Sequence, residues 1–316
     1  MKQTEPAKPA LAYGLRKHYI RKMELPCYPE FAPIGLEFQS EIQNLLSDAP
    51  DGVSEYTFSN LYLFRRRYRY TVSAADGALI VRGEKDGETF FETPCALPPA
   101  AVLSVLFQNH GYWKGIPASL LKGAEVFCSQ DEFCQRNGVE IVEDRDNFDY
   151  LYNRIDLAEL SGKKFHKKRN LVNAFLNSYI PQVFPLTDDR VADAMKVLDH
   201  WHEDKGEEGD YLASKDALEL LGALGMTGSI YYINERPVGW CLGEGLARGA
   251  MFAVHFEKGI DDYKGVYQYI NQEFTASLPE NFIFINREQD LGDEGLRQAK
   301  MTYRPVGFVN KYVMRR

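Results

Sequence analysis

The chain has 316 residues, 45% of them hydrophobic and 13% aromatic, with a formal net charge of -8 at pH 7. That length exceeds one ordinary core and predicts two domains of roughly 150 residues, while the apolar content excludes a disordered chain. The acidic balance excludes a global attraction to nucleic acid or anionic lipid, so binding of either kind needs a local basic patch.

The cysteines Cys27, Cys95, Cys128, Cys134 and Cys241 are scattered, odd in number and without metal spacing. With no secretory signal and no window of about 18 apolar residues, the chain reads as a soluble protein of a reducing cytoplasm. Residues 1–34 hold Pro6, Pro9, Pro26, Pro29 and Pro33 and the basic run Arg16-Lys17-His18. They predict an N-terminal arm that drapes over the body through Tyr19, Leu25, Tyr28 and Phe31.

The first half, 35–159, opens on a helical pattern at Phe38–Ala49. Two extended runs, Tyr68–Ala74 and Ala78–Gly83, flank Asp76-Gly77, a strong hairpin signal, and Lys85-Asp86-Gly87 turns the chain into Glu88–Glu92. Pro98 and Pro99 open a helix through Ala101–His110. A second helix, Ser129–Asn137, stops at Gly138, and Val139–Val142 and Asp149–Asp156 read as strands.

The second half, 181–316, repeats that order. Helices are expected at Arg190–Glu203 and Lys215–Leu224, with a charged loop, Glu203–Asp210, between them. Three antiparallel strands follow (Ser229–Ile233, Val238–Leu246, Gly249–Phe256), then a helix at Tyr263–Ser277 with Asp262 as its N-cap. Phe282–Asn286 reads as a strand, Gly292–Met301 as a helix and Val306–Met314 as a closing strand. The parallel lies in the order of elements; the residues themselves are not visibly duplicated.

Two stretches carry the functional argument. Met251–Phe256 feeds the amphipathic helix through a polar loop, Glu257–Asp262, an arrangement that sets a loop and the first amides of a helix beside a cleft. His255, Glu257, Tyr263 and Lys264 lie there. Between the halves, residues 160–180 form a linking helix with Lys163, Lys164, Lys167, Lys168 and Arg169 crowded at its N-terminal end. Cations there oppose the helix dipole by about 0.3–1 kcal/mol each, so the cluster asks for an anionic partner rather than a purely structural role.

The stretches FDYLYNRIDLAELSGKKFHKKRNLVNAF, VHFEKGIDDYKGVYQYINQEF and INREQDLGDEGLRQAKMTYRP resemble the phosphatidylglycerol lysyltransferase C-terminal-domain family, from roughly Gly35 to the end. The resemblance implies an α/β (α+β) fold of two tandem GNAT-like units, mostly antiparallel sheets with flanking helices, joined by a basic helix. It also implies an aminoacyltransferase whose donor is aminoacyl-tRNA, whose acceptor is an amine or hydroxyl such as a lipid headgroup, and whose active unit is the second. No cofactor or metal is expected.

On that reading a carbonyl sits between Met251–Phe256 and Phe282–Asn286, with amides facing the developing oxyanion. Glu288 or Glu257 serves as base, Tyr263 or Tyr303 as acid, and His255 belongs to the same cluster. Lys264, Gln268, Asn271, Asn286, Arg287 and Asp290 bind substrate, Arg287 by bidentate contact with phosphate or carboxylate. Strand alternation leaves open which face His255 takes. Asp261 and Asp262 beside Gly259 and Gly265 repel a pyrophosphate, which disfavours acyl-CoA and favours tRNA held on the basic helix, with peripheral contact to anionic lipid as a further possibility. An acyl-CoA-dependent N-acyltransferase and a non-catalytic RNA- or lipid-binding module are the competing readings. His200 and His202 read as helix-surface residues, Cys128 and Cys134 as thiols without ligand spacing. Arg65-Arg66-Arg67 among Tyr62, Tyr68 and Tyr70 fits an RNA surface and a solvated strand face equally.

Overall fold

A computed structural model describes residues 24–47, 49–205 and 209–316. Arg16-Lys17-His18, Tyr19 and the middle of the Glu203–Asp210 loop lie outside these. Among the described residues the strands are, in chain order, β1 (Ala32–Pro33), β2 (Thr71–Ala75), β3 (Ala78–Lys85), β4 (Glu88–Glu92), β5 (Tyr112–Pro117), β6 (Glu140–Glu143) and β7 (Asp149–Asn153). The second half adds β8 (Pro181–Pro185), β9 (Thr227–Ile233), β10 (Arg236–Leu246), β11 (Met251–Gly259), β12 (Phe284–Asn286), β13 (Gly307–Val309) and β14 (Lys311–Arg315).

They build two seven-stranded sheets, β1-β2-β3-β4-β5-β14-β6 and β8-β9-β10-β11-β12-β7-β13. Read in these directions the sheets match strand for strand. Each is antiparallel except for one parallel pair, β4 with β5 in the first and β11 with β12 in the second. The correspondence includes an exchange. β7, from the first half, lies in the second sheet between β12 and β13, and β14, the last strand of the chain, lies in the first sheet between β5 and β6. The ranges 35–159 and 181–316 therefore do not map one-to-one onto the sheets, because each sheet is completed by a strand of the other half.

Local chemistry explains the elements. Asp76-Gly77 and Asp86-Gly87 take left-handed backbone (φ 48 and 79, φ 53 and 81), as two-residue type I′ turns require. Pro99 precedes the helix Ala100–Asn109, and Gly138 ends the helix Glu132–Asn137 in the left-handed region. Several boundaries differ from expectation. Asp131 caps and splits the predicted helix before Gly138, leaving Ala118–Gln130 upstream of it. Arg154–Glu159 is a helix rather than the end of a strand, and Arg65–Tyr68 is a helical turn. The predicted closing strand breaks at Asn310, its two pieces entering different sheets.

One core spans the halves. Leu79, Val81 and Phe90 of the first sheet share it with Ala194, Val197 and Leu198 of the helix Val191–Lys205 and with Trp240, Leu242 and Phe256 of the second sheet. The other face of the second sheet packs on the helices His166–Ser178 and Val266–Ser277, through Val172, Phe175, Ile270 and Phe274. The N-cap of that last helix is Gly265 (φ 94), not Asp262. A Cβ on Gly265 meets the Leu171 carbonyl at 2.6 Å, so only glycine lets the two helices approach this closely.

The exchanged strands are tied by a buried ion pair. Lys311 Nζ of β14 donates to Asp149 Oδ1 of β7 at 2.7 Å and to Glu55, and Asp149 accepts further from Ser54 and Gln289. Lys311→Ala leaves buried Asp149 and part-buried Glu55 without their cation and is expected to cost about 3–5 kcal/mol in urea unfolding, with both halves lost in a single transition. A loss below about 1 kcal/mol or two separate transitions would overturn this.

Candidate active site

β11 and β12 pair in parallel over three positions, Met251↔Phe284 to Ala253↔Asn286, and then part. β11 runs on along β10 to Gly259, while the chain leaving β12 bends toward β7, Arg287 N donating to the Tyr150 carbonyl at 3.0 Å. Glu288 follows in the left-handed region (φ 55), an uncommon backbone for a glutamate and one held by its surroundings. The gap opens into a cavity of about 930 Å³ between the two halves.

A β-bulge aims the first side chain. Leu242 pairs with Phe256 and Gly243 with Val254, which leaves His255 as the extra residue and turns it into the cavity. Gly243 permits the bulge, since a Cβ there sits 2.0 Å from the Ala253 carbonyl. His255 is held at both ring nitrogens, Nδ1 2.7 Å from Glu288 Oε1 and Nε2 3.1 Å from Glu244 Oε1. Burial opposes its charge, but the two carboxylates outweigh burial and raise its pKa to about 10, so the ring is an imidazolium at neutral pH. Burial raises the Glu288 carboxyl, and His255 opposes that rise only in part.

Beyond the histidine, Arg287 donates to Glu257 at 2.9 Å, both largely buried. Glu257 belongs to β11, not to a loop, because the strand continues through the charged pair Glu257-Lys258: Lys258 turns to Asp210 at 2.7 Å and lies 3.8 Å from the Trp201 ring centre. Tyr303 is buried, which pushes its phenol well up, and Lys168 stands over its ring at 3.9 Å. Lys300 donates to the carbonyls of Arg287 and Gln289. Burial, with Arg287 nearby, lowers both Lys168 and Lys300 to about 8.

Of the residues singled out from sequence, His255, Glu257, Gln268, Arg287, Glu288, Tyr303 and Lys168 line this cavity. Others lie apart. Tyr263 packs edge-on against Tyr179 at 5.2 Å, and Lys264 is exposed. Asn271 is buried on the inner side of its helix. Asn286 donates to Gly52 O at 2.9 Å and to Asp149 Oδ2 at 3.0 Å while its own Oδ1 receives the Glu288 amide at 2.8 Å, so it shapes the bend without facing the cavity. Asp290 accepts from Tyr150 at 2.6 Å and from Arg297 at 2.9 Å; burial opposes its charge, yet these donors hold its carboxyl well below the usual range. In the basic cluster Lys164 pairs with Asp156 at 3.0 Å, and Arg169 donates to the Leu160 and Gly162 carbonyls, closing the end of the preceding helix. Lys163 and Lys167 are exposed outside the cavity.

The sequence reading missed Glu244, Lys258, Lys300 and Lys114. Each sits inside a strand or helix whose pattern carries no hint of a site, and only the fold brings them together. Arg65 pairs with Asp216 at 2.9 Å, while Arg67 lines the cavity and donates to Gly209 O at 3.1 Å. His200 reaches Asp204 at 3.6 Å and His202 stacks on Tyr211. No helix among the described residues is long and apolar enough to cross a membrane.

Comparison with known proteins agrees with this architecture. A crystal structure of a conserved protein of unknown function from Bacteroides thetaiotaomicron superposes with a TM-score of 0.81 at 31% identity, covering 92% of this chain and 99% of that one. The C-terminal domain of a putative lysylphosphatidylglycerol synthetase from Agrobacterium fabrum (TM-score 0.59, 12% identity, 88% and 90% covered) shares the fold. So does L-PGS from Bacillus licheniformis (TM-score 0.58, 13% identity, 93% and 94% covered). An uncharacterized protein of Mycoplasmoides gallisepticum is 26% identical over 187 residues, 56% of this chain, and the chain spans only 58% of that relative's length. The family model described as phosphatidylglycerol lysyltransferase, C-terminal, matches residues 47–315. The chain therefore belongs to the phosphatidylglycerol lysyltransferase C-terminal family.

Proposed function

We propose that the chain moves an aminoacyl group from aminoacyl-tRNA to an amine or hydroxyl acceptor, with an anionic lipid headgroup as one candidate acceptor. The observation that carries this reading is the parting of β11 and β12 after Ala253 and Asn286, which opens into the cavity beside buried ionisable groups. A carbonyl lodged there meets Lys300 and Lys168, whose positive charge suits an oxyanion, in a setting drier than water. Glu288, with its carboxyl raised by burial, is placed to take the acceptor's proton, and His255 holds it in position. Tyr303, kept as a phenol, is placed to protonate the departing ribose hydroxyl. The balance closes: the acyl C–O bond to the tRNA breaks and a C–N or C–O bond to the acceptor forms, the ribose oxygen takes the Tyr303 proton, and the acceptor's proton, first held on Glu288, is passed through solvent to restore the Tyr303 phenol.

Two features weigh against acyl-CoA. Asp261 and Asp262 stay exposed at the loop before the helix Val266–Ser277, and the Leu171 carbonyl lies close against Gly265, that helix's N-cap. The amides a pyrophosphate needs are thus flanked by like charge and covered. The tRNA body is assigned to the exposed lysines of the linking segment, Lys163, Lys164 and Lys167, with Lys168 reaching inward and Arg169 holding the segment's start.

Loss of radiolabelled aminoacyl ester from bulk charged tRNA, with cell extract as acceptor, tests the reaction. Lys300→Met is expected to lower the rate about 10²–10³-fold, and an unchanged rate removes Lys300 from the chemistry. Reversing Lys163, Lys164 and Lys167 to Glu should weaken tRNA association and flatten its salt dependence by about 0.7–0.9 in log–log slope per lost phosphate contact. An unchanged slope places the tRNA elsewhere. For His255 the folded value of about 10 lies above the ordinary 6.5. Its stabilising contribution is therefore complete below about pH 6.5 and is lost as pH rises through about 10. Imidazole NMR shifts at pH 8 should be those of the doubly protonated ring, and a midpoint near 6.5 contradicts the carboxylate clamp.

A further inference from the structure

Each carboxylate lining the cavity among the described residues is already matched by a protein cation. Glu55 meets Lys311, Asp210 meets Lys258, Glu257 meets Arg287 and Glu288 meets His255. Lys114 and Lys205 on the same lining pair with Glu92 and Asp261, but three further cations facing this space are not matched in this way. Lys168 is held by the Tyr303 ring, and Lys300 and Arg67 by backbone carbonyls. On a chain of net charge -8, the wall beside the parted strands is therefore positive.

An aminoacyl group entering this space brings an α-amino group common to every donor, so discrimination among donors falls to the side chain. A lysyl or arginyl side chain finds no free carboxylate among these residues and several like charges in a partly desolvated space. A carboxylate side chain finds Lys168, Arg287 and Lys300 on the lining of the same space. We propose that this cavity selects an acidic aminoacyl group, aspartyl or glutamyl, over lysyl or arginyl, in contrast to the substrate in the family's name. This rests on the aminoacyl-transfer reading above.

The test uses the full chain and non-hydrolysable donors, 3′-amino-3′-deoxyadenosine acylated through an amide with glutamate, alanine or lysine, with affinities measured by calorimetry. The glutamyl analogue is expected to bind at least tenfold tighter than the lysyl one, with alanyl between them. Lys168→Glu, checked for an unchanged melting curve, should narrow or invert that order. A lysyl analogue that binds as well as the glutamyl one overturns the selectivity and leaves aminoacyl transfer standing. Equal glutamyl and alanyl affinity, with tighter binding only when a 5′-phosphate is added, assigns the cations to the tRNA backbone and also overturns it. Failure of all three analogues to bind removes the aminoacyl-donor reading itself, and the selectivity with it.

Discussion

The contact on which the rest of the structure depends is the ion pair between Asp149 and Lys311. It joins the two strands that change sheets, and it lies beneath the site. Asp149 also receives Asn286 and Gln289, the residues on either side of the Arg287-Glu288 bend. A buried pair of this kind stabilises little by itself, since desolvation offsets most of the attraction; its value lies in fixing one arrangement when every remaining lone pair is satisfied. Here the Ser54 amide and hydroxyl, Asn286 and Gln289 satisfy Asp149. The strand exchange and the strained backbone at Glu288 are thus held by one polar node.

The matched sheets place a second parting of strands in the first half, and the contrast between the two is instructive. β4 and β5 pair over only two positions, Phe90↔Tyr112 and Phe91↔Trp113, and then separate. Gly115 stands two residues after the last paired position of β5, as Glu288 does for β12, and it too is left-handed (φ 67). In the first half protein groups occupy the gap itself: the Tyr56 hydroxyl donates to the Gly115 carbonyl, and Lys114, at the edge of the cavity, pairs with buried Glu92 at 3.4 Å. In the second half the corresponding place holds side chains that face open space. The same backbone device is structural in one sheet and available for chemistry in the other.

How much of this was legible in the sequence depends on whether the deciding contacts are local. The turns at Asp76-Gly77 and Asp86-Gly87, the helix after Pro99 and the amphipathic helix ending at Ser277 follow from residues next to one another in the chain. Sheet membership does not. Val306–Met314 reads as one run because nothing at Asn310 signals a turn, and its division was set by partners more than a hundred residues away. Glu257 and Lys258 look like loop residues until Arg287 and Asp210 are seen beside them. The site shows the same split. His255, Glu257, Arg287, Glu288 and Tyr303, named from motif and position, line the cavity, whereas Glu244 and Lys300 matter only through what they touch across the fold. Tyr263 and Lys264 are expected at the cleft because the helix is expected to begin at Tyr263, and Asn271 because it shares the helix's polar face with Lys264 and Gln268. With Gly265 as the cap, the first turn instead packs against the linking helix.

The state of the cavity lysines follows from the same crowding. Lys168 and Lys300 are both held down to about 8, chiefly by burial, with repulsion from Arg287 adding to it. An anion placed among them reverses the repulsive part and favours the charged form of each amine. Binding of an anionic group and uptake of protons are then one event in the range just above pH 8, with the sign set by the cations the wall already carries. A cationic group in the same place drives protons off instead and meets repulsion from whatever charge remains. The clamp on His255 works in the other direction: its charge is fixed by Glu244 and Glu288 well beyond neutral pH, so it keeps Glu288 in position while the lysines respond. A wall with one locked cation and two adjustable ones can accept an anion without rearranging its backbone, which the Asp149–Lys311 node holds in place.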